Sequence, residues 1–196
     1  MQRSALLAAI DAYGARHADE AHTVARFHEF VAANVQCFER TLQGGHVTGS
    51  AWLVDPAGQE VLLTHHKKLG IWVQLGGHAD GDPDTFAVAH REAMEESGLV
   101  GIALATGYRD ASGGARIFDL DIHAIPARGS ELAHLHYDVR YALCATNGTE
   151  FRVSSESRAL AWVPVASLAA GTTPSVLTTE ASIVRMALKW RAGARV

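Results

Sequence analysis

Residues 76–99 read GGHADGDPDTFAVAHREAMEESGL: a double glycine, a short polar loop, and a helix-forming run that carries three glutamates. Glu92, Glu95 and Glu96 are three and four residues apart, a spacing that gathers their side chains on one face of a helix. Three like charges that close repel one another unless a cation or an Arg neutralises them. The arrangement therefore reads as a hard-metal site, and oxygen-only ligands favour Mg²⁺ or Mn²⁺. Phe86, Ala89, His90, Ala93 and Met94 form another, mostly apolar stripe, so one side can pack while the acidic side faces a cleft. Asp84 suits the N-cap and Gly98 the left-handed stop, with Asp82-Pro83 as an alternative start. Taken alone, the acids also fit a solvated surface helix with no chemistry.

The surrounding residues weigh against that plain reading. Gly77, Arg91, Glu92, Ala93, Glu95, Glu96, Gly98 and Leu99 fall in register with a long motif. The stretch resembles the Nudix box, Gly-x5-Glu-x7-Arg-Glu-U-x-Glu-Glu-x-Gly-U with U aliphatic. One position departs, since Pro83 stands where the first Glu is expected. The resemblance implies that this first Glu supports the loop and the Arg, with Asp82 or Asp84 as substitute partners for Arg91. It implies further that Glu92, Glu95 and Glu96, with the Gly77 carbonyl, hold divalent metal.

Upstream, residues 46–54 (HVTGSAWLV) are β-rich, and after the turn Asp55-Pro56-Ala57-Gly58 the run 60–64 reads as a partner strand. Next comes His65-His66-Lys67-Lys68-Leu69-Gly70-Ile71-Trp72, similar to the approach to the box in Nudix enzymes. His66, Lys67 and Lys68 suit a phosphate. Trp72 suits base stacking or plain packing. Within the glycine loop, His78 and Asp80 suit a metal or phosphate contact, or a hydrogen bond that merely fixes the loop.

Downstream, residues 117–125 and 135–144 alternate as strands on either side of the turn-rich 126–130. Alternation puts Asp119, Asp121 and His123 on one face of the first, and His134, His136, Asp138 and Arg140 on one face of the second. Such a polar stripe needs partners. It lines an outer surface or the active-site cleft, and the cleft is the preferred reading, with His136, Asp138 and Arg140 on substrate. A transition-metal site of His134, His136 and Asp138 ranks lower. GGHxDG and HLHYDVRY, with Glu131 just upstream, look similar to segments of one bacterial Nudix subgroup. Glu156, in a polar loop ahead of Leu160-Ala161-Trp162-Val163-Pro164-Val165, resembles the acid and closing strand of many Nudix domains. It reads as an extra ligand or water-activating base, or as a plain loop carboxylate. A final helix over 180–191 packs through Ile183, Val184, Met186, Ala187 and Trp190.

Residues 4–42 read as two helices outside the resemblance, from Leu6, Leu7 and Ile10, then Val24, Phe27, Phe30, Val31 and Val35. The expected organisation is a helical extension over 1–45 packed on a Nudix hydrolase domain over 46–196. The implied fold is α/β: a mixed β-sheet in an α/β/α sandwich.

The chain has 196 residues, 48% hydrophobic and 19% charged, which fits an ordinary folded domain rather than a disordered chain. No apolar run approaches the ~20 residues of a membrane helix, and residues 1–21 lack a signal-peptide core. Cys37 and Cys144 lie far apart without a CxxC or CxxH companion, so they read as reduced in a cytoplasmic protein. A net charge of −4 spreads no basic field for duplex nucleic acid. The expected partner is a small nucleoside-diphosphate-type molecule, with a homodimer as the default assembly.

The expected activity is hydrolysis of a diphosphate linkage in a nucleoside diphosphate linked to another group, using Mg²⁺ or Mn²⁺. Arg91 orients a glutamate, and the general base is a box glutamate, Glu131 or Glu156. Three rivals stand beside it. A non-catalytic nucleotide-sensing module would commonly have lost box acids. An isopentenyl diphosphate isomerase needs an active-site Cys before the box, where neither cysteine lies. A purely structural protein has no use for the acidic face.

Overall fold

The fold is organised around β1 (Gly45–Val54), whose ten residues are all buried. A strand buried on both faces belongs at the centre of a covered sheet. β1 lies between β6 (His134–Ala145), to which it is parallel from Gly45↔Leu135 to Val54↔Cys144, and the antiparallel β3 (Trp72–His78). The computed structural model describes residues 2–67, 70–129, 131–153, 157–172, 179 and 181–193. The remaining strands are β2 (Glu60–His66), β4 (Ile102–Leu104), β5 (Asp119–Ile125) and β7 (Ser157–Pro164). The seven-stranded mixed sheet runs β4-β6-β1-β3-β2-β7, with β5 also on β6.

Helices cover both faces. Val47, Ala51, Val139 and Leu143 meet α3 (Thr85–Ser97), together with α1 (Gln2–Gly14) and α2 (Ala21–Ala33), through Ile10, Phe27, Val31, Val88 and Ala93. On the opposite face Trp52, Val54 and Ala142 pack against α4 (Val165–Ala169) and α5 (Ala181–Gly193) through Leu168, Ile183, Met186 and Trp190. The α/β/α sandwich expected from the sequence is thus present, and the N-terminal helices share a core with the sheet. Val35, grouped with the packing stripe of α2, lies past its end and is exposed.

Two local readings are corrected. The glycine pair and His78 are not in a loop: they are the last residues of β3, paired with Ser50, Gly49 and Thr48 of β1. The buried stripe of α3 is Thr85, Val88, Ala89, Ala93, Glu96 and Ser97, while Met94 is exposed. Gly49 explains that orientation. A Cβ there would meet Thr85 O at 2.7 Å and Val88 Cγ1 at 2.9 Å, so the missing side chain seats the helix directly on the strand.

Candidate active site

The acid-bearing helix starts and stops as its residues dictate. The Asp84 carboxylate accepts from Ala87 N at 3.0 Å as the N-cap, and Gly98 closes the helix at φ 68° with its N–H on Met94 O. Between these caps two glutamates are delivered to the glycine pair. Glu96, largely buried, accepts a hydrogen bond from Gly76 N at 2.9 Å. The Glu92 carboxylate lies so close to Gly77 that a Cβ there would come within 2.5 Å of its Cδ. Gly76 is confined on the other side, where a Cβ would fall 2.2 Å from Ser50 Oγ. The glycines are needed because helix carboxylates and strand backbone occupy the space side chains would take. Glu95 is exposed on the same helix.

Arg91 Nη2 lies 3.3 Å from Glu92 Oε1, and its Nη1 lies 3.9 Å from Asp82 Oδ2. Asp82 is therefore the acid that faces Arg91 where Pro83 replaces the expected glutamate, while Asp84 is engaged as the cap. Two carboxylates packed onto strand backbone, beside a guanidinium, form an oxygen-rich cradle that fits a hard divalent cation. Of the residues assigned to substrate, Lys67 lies in the turn after β2 and is exposed. Trp72 is half-buried and stacks on His65 at 5.2 Å. Lys68 and Glu156 lie outside the described residues.

The polar stripe divides into two parts. Asp138 and Arg140, expected to line a cleft, are instead enclosed, at 1% and 0% exposure. Asp138 accepts from Thr48 Oγ1 (2.9 Å), Ser50 Oγ (2.7 Å), Gln74 Nε2 (3.0 Å) and Arg140 Nε (2.7 Å). Arg140 reaches Asp119 and Asp121 of β5, each at 3.1 Å. Arg185 of α5 also bonds Asp119 (2.7 Å) and Asp121 (2.9 Å), and Lys189 bonds Asp119, Glu20 and Tyr13. Burial raises the Asp119 pKa, but the Arg185 hydrogen bonds and the Arg140 and Lys189 charges outweigh it and hold the carboxyl below its usual range. These charges are mutually satisfied and tie β5, β6 and α5 together.

The other half of the stripe is a histidine cluster. The His46, His78, His123, His134 and His136 rings stand 4.8–5.3 Å from their neighbours, on β1, β3, β5 and β6. Among the described residues, His46, His134 and His136 are the one group of three or more His, Cys, Asp or Glu whose ligand atoms converge, all within 4.8 Å. Asp138, grouped with His134 and His136 in the sequence reading, faces the ion network instead. Burial, then the neighbouring His78 and His134, lowers the His46 pKa to about 4, and burial also lowers His78 and His136. The sequence reading missed His46 and His123 as members of this group. Their signal was strand register, because His46, His123 and His136 are cross-strand partners.

The NUDIX domain profile matches residues 45–180. The chain belongs to the Nudix hydrolase family, which makes it an enzyme of the Nudix pyrophosphohydrolase type. A Nudix-family hydrolase from Clostridium perfringens is 25% identical, with 75% of this chain and 97% of that one covered and a TM-score of 0.52. A Caenorhabditis elegans Ap4A hydrolase in a binary complex is 16% identical, with 74% and 95% covered and a TM-score of 0.53. The Escherichia coli dihydroneopterin triphosphate pyrophosphohydrolase is 13% identical, with 76% and 96% covered and a TM-score of 0.53. The last two share the fold. Comparison with curated protein sequences gave no match.

Proposed function

We propose that this protein hydrolyses a phosphoanhydride bond in a small nucleoside diphosphate linked to a second group, using Mg²⁺ or Mn²⁺. The observation that carries the reading is the seating of Glu92 and Glu96 on Gly77 and Gly76. Glu92, Glu95, Glu96 and the Gly77 carbonyl would hold the ions. Bound there, such ions offset phosphate charge and lower the pKa of an attacking water. Arg91 restrains Glu92 through its 3.3 Å contact and so keeps the carboxylate aimed at the glycine pair. Gly76 and Gly77 present strand backbone to the phosphates, with Lys67, Lys68 and Trp72 of the preceding stretch as further substrate contacts. A box glutamate, Glu131 or Glu156 takes the proton from water. The helices over 1–45 are an extension on a catalytic domain over 46–196, the working form is cytoplasmic, and a homodimer is its assembly.

The test is release of phosphate or nucleotide from a panel of nucleoside-diphosphate compounds with Mg²⁺ or Mn²⁺, before and after EDTA, beside Glu96→Gln. Metal-dependent cleavage that disappears in the variant is expected. Silence across the panel, with tight nucleotide binding retained, would sink hydrolysis and favour a sensing module.

A further inference from the structure

We infer that His46, His134 and His136 form a second metal site, distinct from the acidic helix, that takes a transition-metal ion of the Zn²⁺ class. The two sites diverge from adjacent residues of β3, because Gly77 faces Glu92 while His78 turns to the opposite face and meets the His46 and His136 rings at 5.0 and 5.2 Å. The proposal does not depend on which substrate the acidic site takes.

Three observations carry it. First, His46 is 2% exposed, yet among the described residues neither Nδ1 nor Nε2 has a hydrogen-bond partner, and its ring contacts are with His78, His134 and His136. A buried imidazole without a partner is costly unless something binds its lone pair. Second, His134 Nδ1 lies 2.8 Å from Leu132 O. A carbonyl only accepts, so Nδ1 carries the proton and Nε2 presents a lone pair to the cluster, the orientation metal-bound histidines usually receive from a carbonyl. Third, that Nε2 is 3.3 Å from His136 Nε2, the separation two ligands have in a tetrahedron with metal–nitrogen bonds of about 2.0–2.1 Å. A hydrogen bond between these two imidazoles would explain their spacing, but it leaves His46 without a partner among the described residues.

Glu131 Oε1, 4.0 Å from the same His134 Nε2, supplies an oxygen at the rim. Three imidazoles and one carboxylate select a borderline metal such as Zn²⁺, whereas Mg²⁺ prefers the all-oxygen cradle of α3. Because the ligands come from β1 and β6, an ion there clamps two strands that meet only in the folded chain, and binding adds to stability.

The experiment uses tag-free, EDTA-stripped full chain titrated with Co²⁺ and with Zn²⁺ in excess Mg²⁺, reading stoichiometry, the visible absorption of nitrogen-ligated Co²⁺, and Tm. One equivalent is expected to bind and raise Tm. Glu92→Gln with Glu96→Gln should keep that site, whereas His134→Gln and His136→Gln should lose the Co²⁺ spectrum while keeping the far-UV circular dichroism of the parent. The idea fails if the parent binds neither ion, if the folded histidine variants bind like the parent, or if the glutamate pair abolishes the spectrum. Should both histidine variants unfold, X-ray absorption of the Zn²⁺-loaded parent decides: three imidazoles support the site, and fewer overturn it.

Discussion

The Glu92 carboxylate occupies the place that a side chain on Gly77 would need, its Cδ only 2.5 Å from where a Cβ would stand. The atom in the way is the far end of a flexible side chain, so Gly77→Ala can be accommodated by swinging Glu92 aside. The cost then falls on the site rather than on the fold. We expect Gly77→Ala to melt close to the parent and to lose roughly 10²-fold in kcat/KM, the scale set by about 1 Å of misplacement. Thermal melts and hydrolysis kinetics check this together. Parent-like kinetics would mean that the close packing of Glu92 has no bearing on catalysis.

Arg140 is the hub of a buried charge network, and removing it strands its partners. Arg140→Met roughly preserves volume but leaves Asp138 with one hydrogen bond fewer and leaves the Asp119 and Asp121 carboxylates facing β6 without a cation. Breaking a buried pair by deleting one partner costs about 3–5 kcal/mol. Urea unfolding should show that loss with little change in slope. A loss below ~1 kcal/mol would show that Arg185 and Lys189 alone neutralise the cluster.

The same network sets the acid limb of stability. The folded-state pKa of Asp119 lies below its ordinary value, so its contribution is present above the unfolded value of ~3.9 and disappears as pH falls through the folded one. Asp119→Asn should therefore be much less stable than the parent at neutral pH, with the gap narrowing as the pH is taken below ~4. Unfolding free energies measured for both proteins across that range test the sign. A gap that is constant with pH would show that the ionised carboxylate is not what stabilises this corner.

How far the sequence could be read follows from where each signal lies. Strand alternation and helix spacing are local, so β1, β2, β6, α3 and α5 were legible within a residue or a few at their ends, and so was the acid-to-glycine geometry that a long spaced motif encodes. The strand identity of Trp72–His78 was hidden because two glycines and polar residues look like a turn. They are a strand only because β1 supplies partners and α3 supplies the carboxylates that fill the glycine spaces. Alternation placed Asp138 and Arg140 on one face, but a cleft and an interior network need the same pattern. Arg185 and Lys189, nearly fifty residues away, decide for the interior. His46 was silent for the same reason: what makes it notable is β1–β6 register, which one chain segment does not contain.

Cys37 is enclosed in the core shared by the N-terminal helices and the sheet, and it reports on whether that core stays closed. Burial pushes its thiol up to about 11, against a small opposing effect from Arg3. At pH ~8 only about one molecule in a thousand carries the reactive thiolate there, and that molecule is also shielded from solvent. Alkylation of Cys37 by iodoacetamide should therefore be negligible in the native protein and become fast in urea, as followed by peptide mass spectrometry, with half-buried Cys144 as the internal comparison. Rapid native labelling of Cys37 would show that α1 and α2 open from the sheet far more readily than the rest of the fold, and that the N-terminal helices and the sheet do not form one cooperative unit.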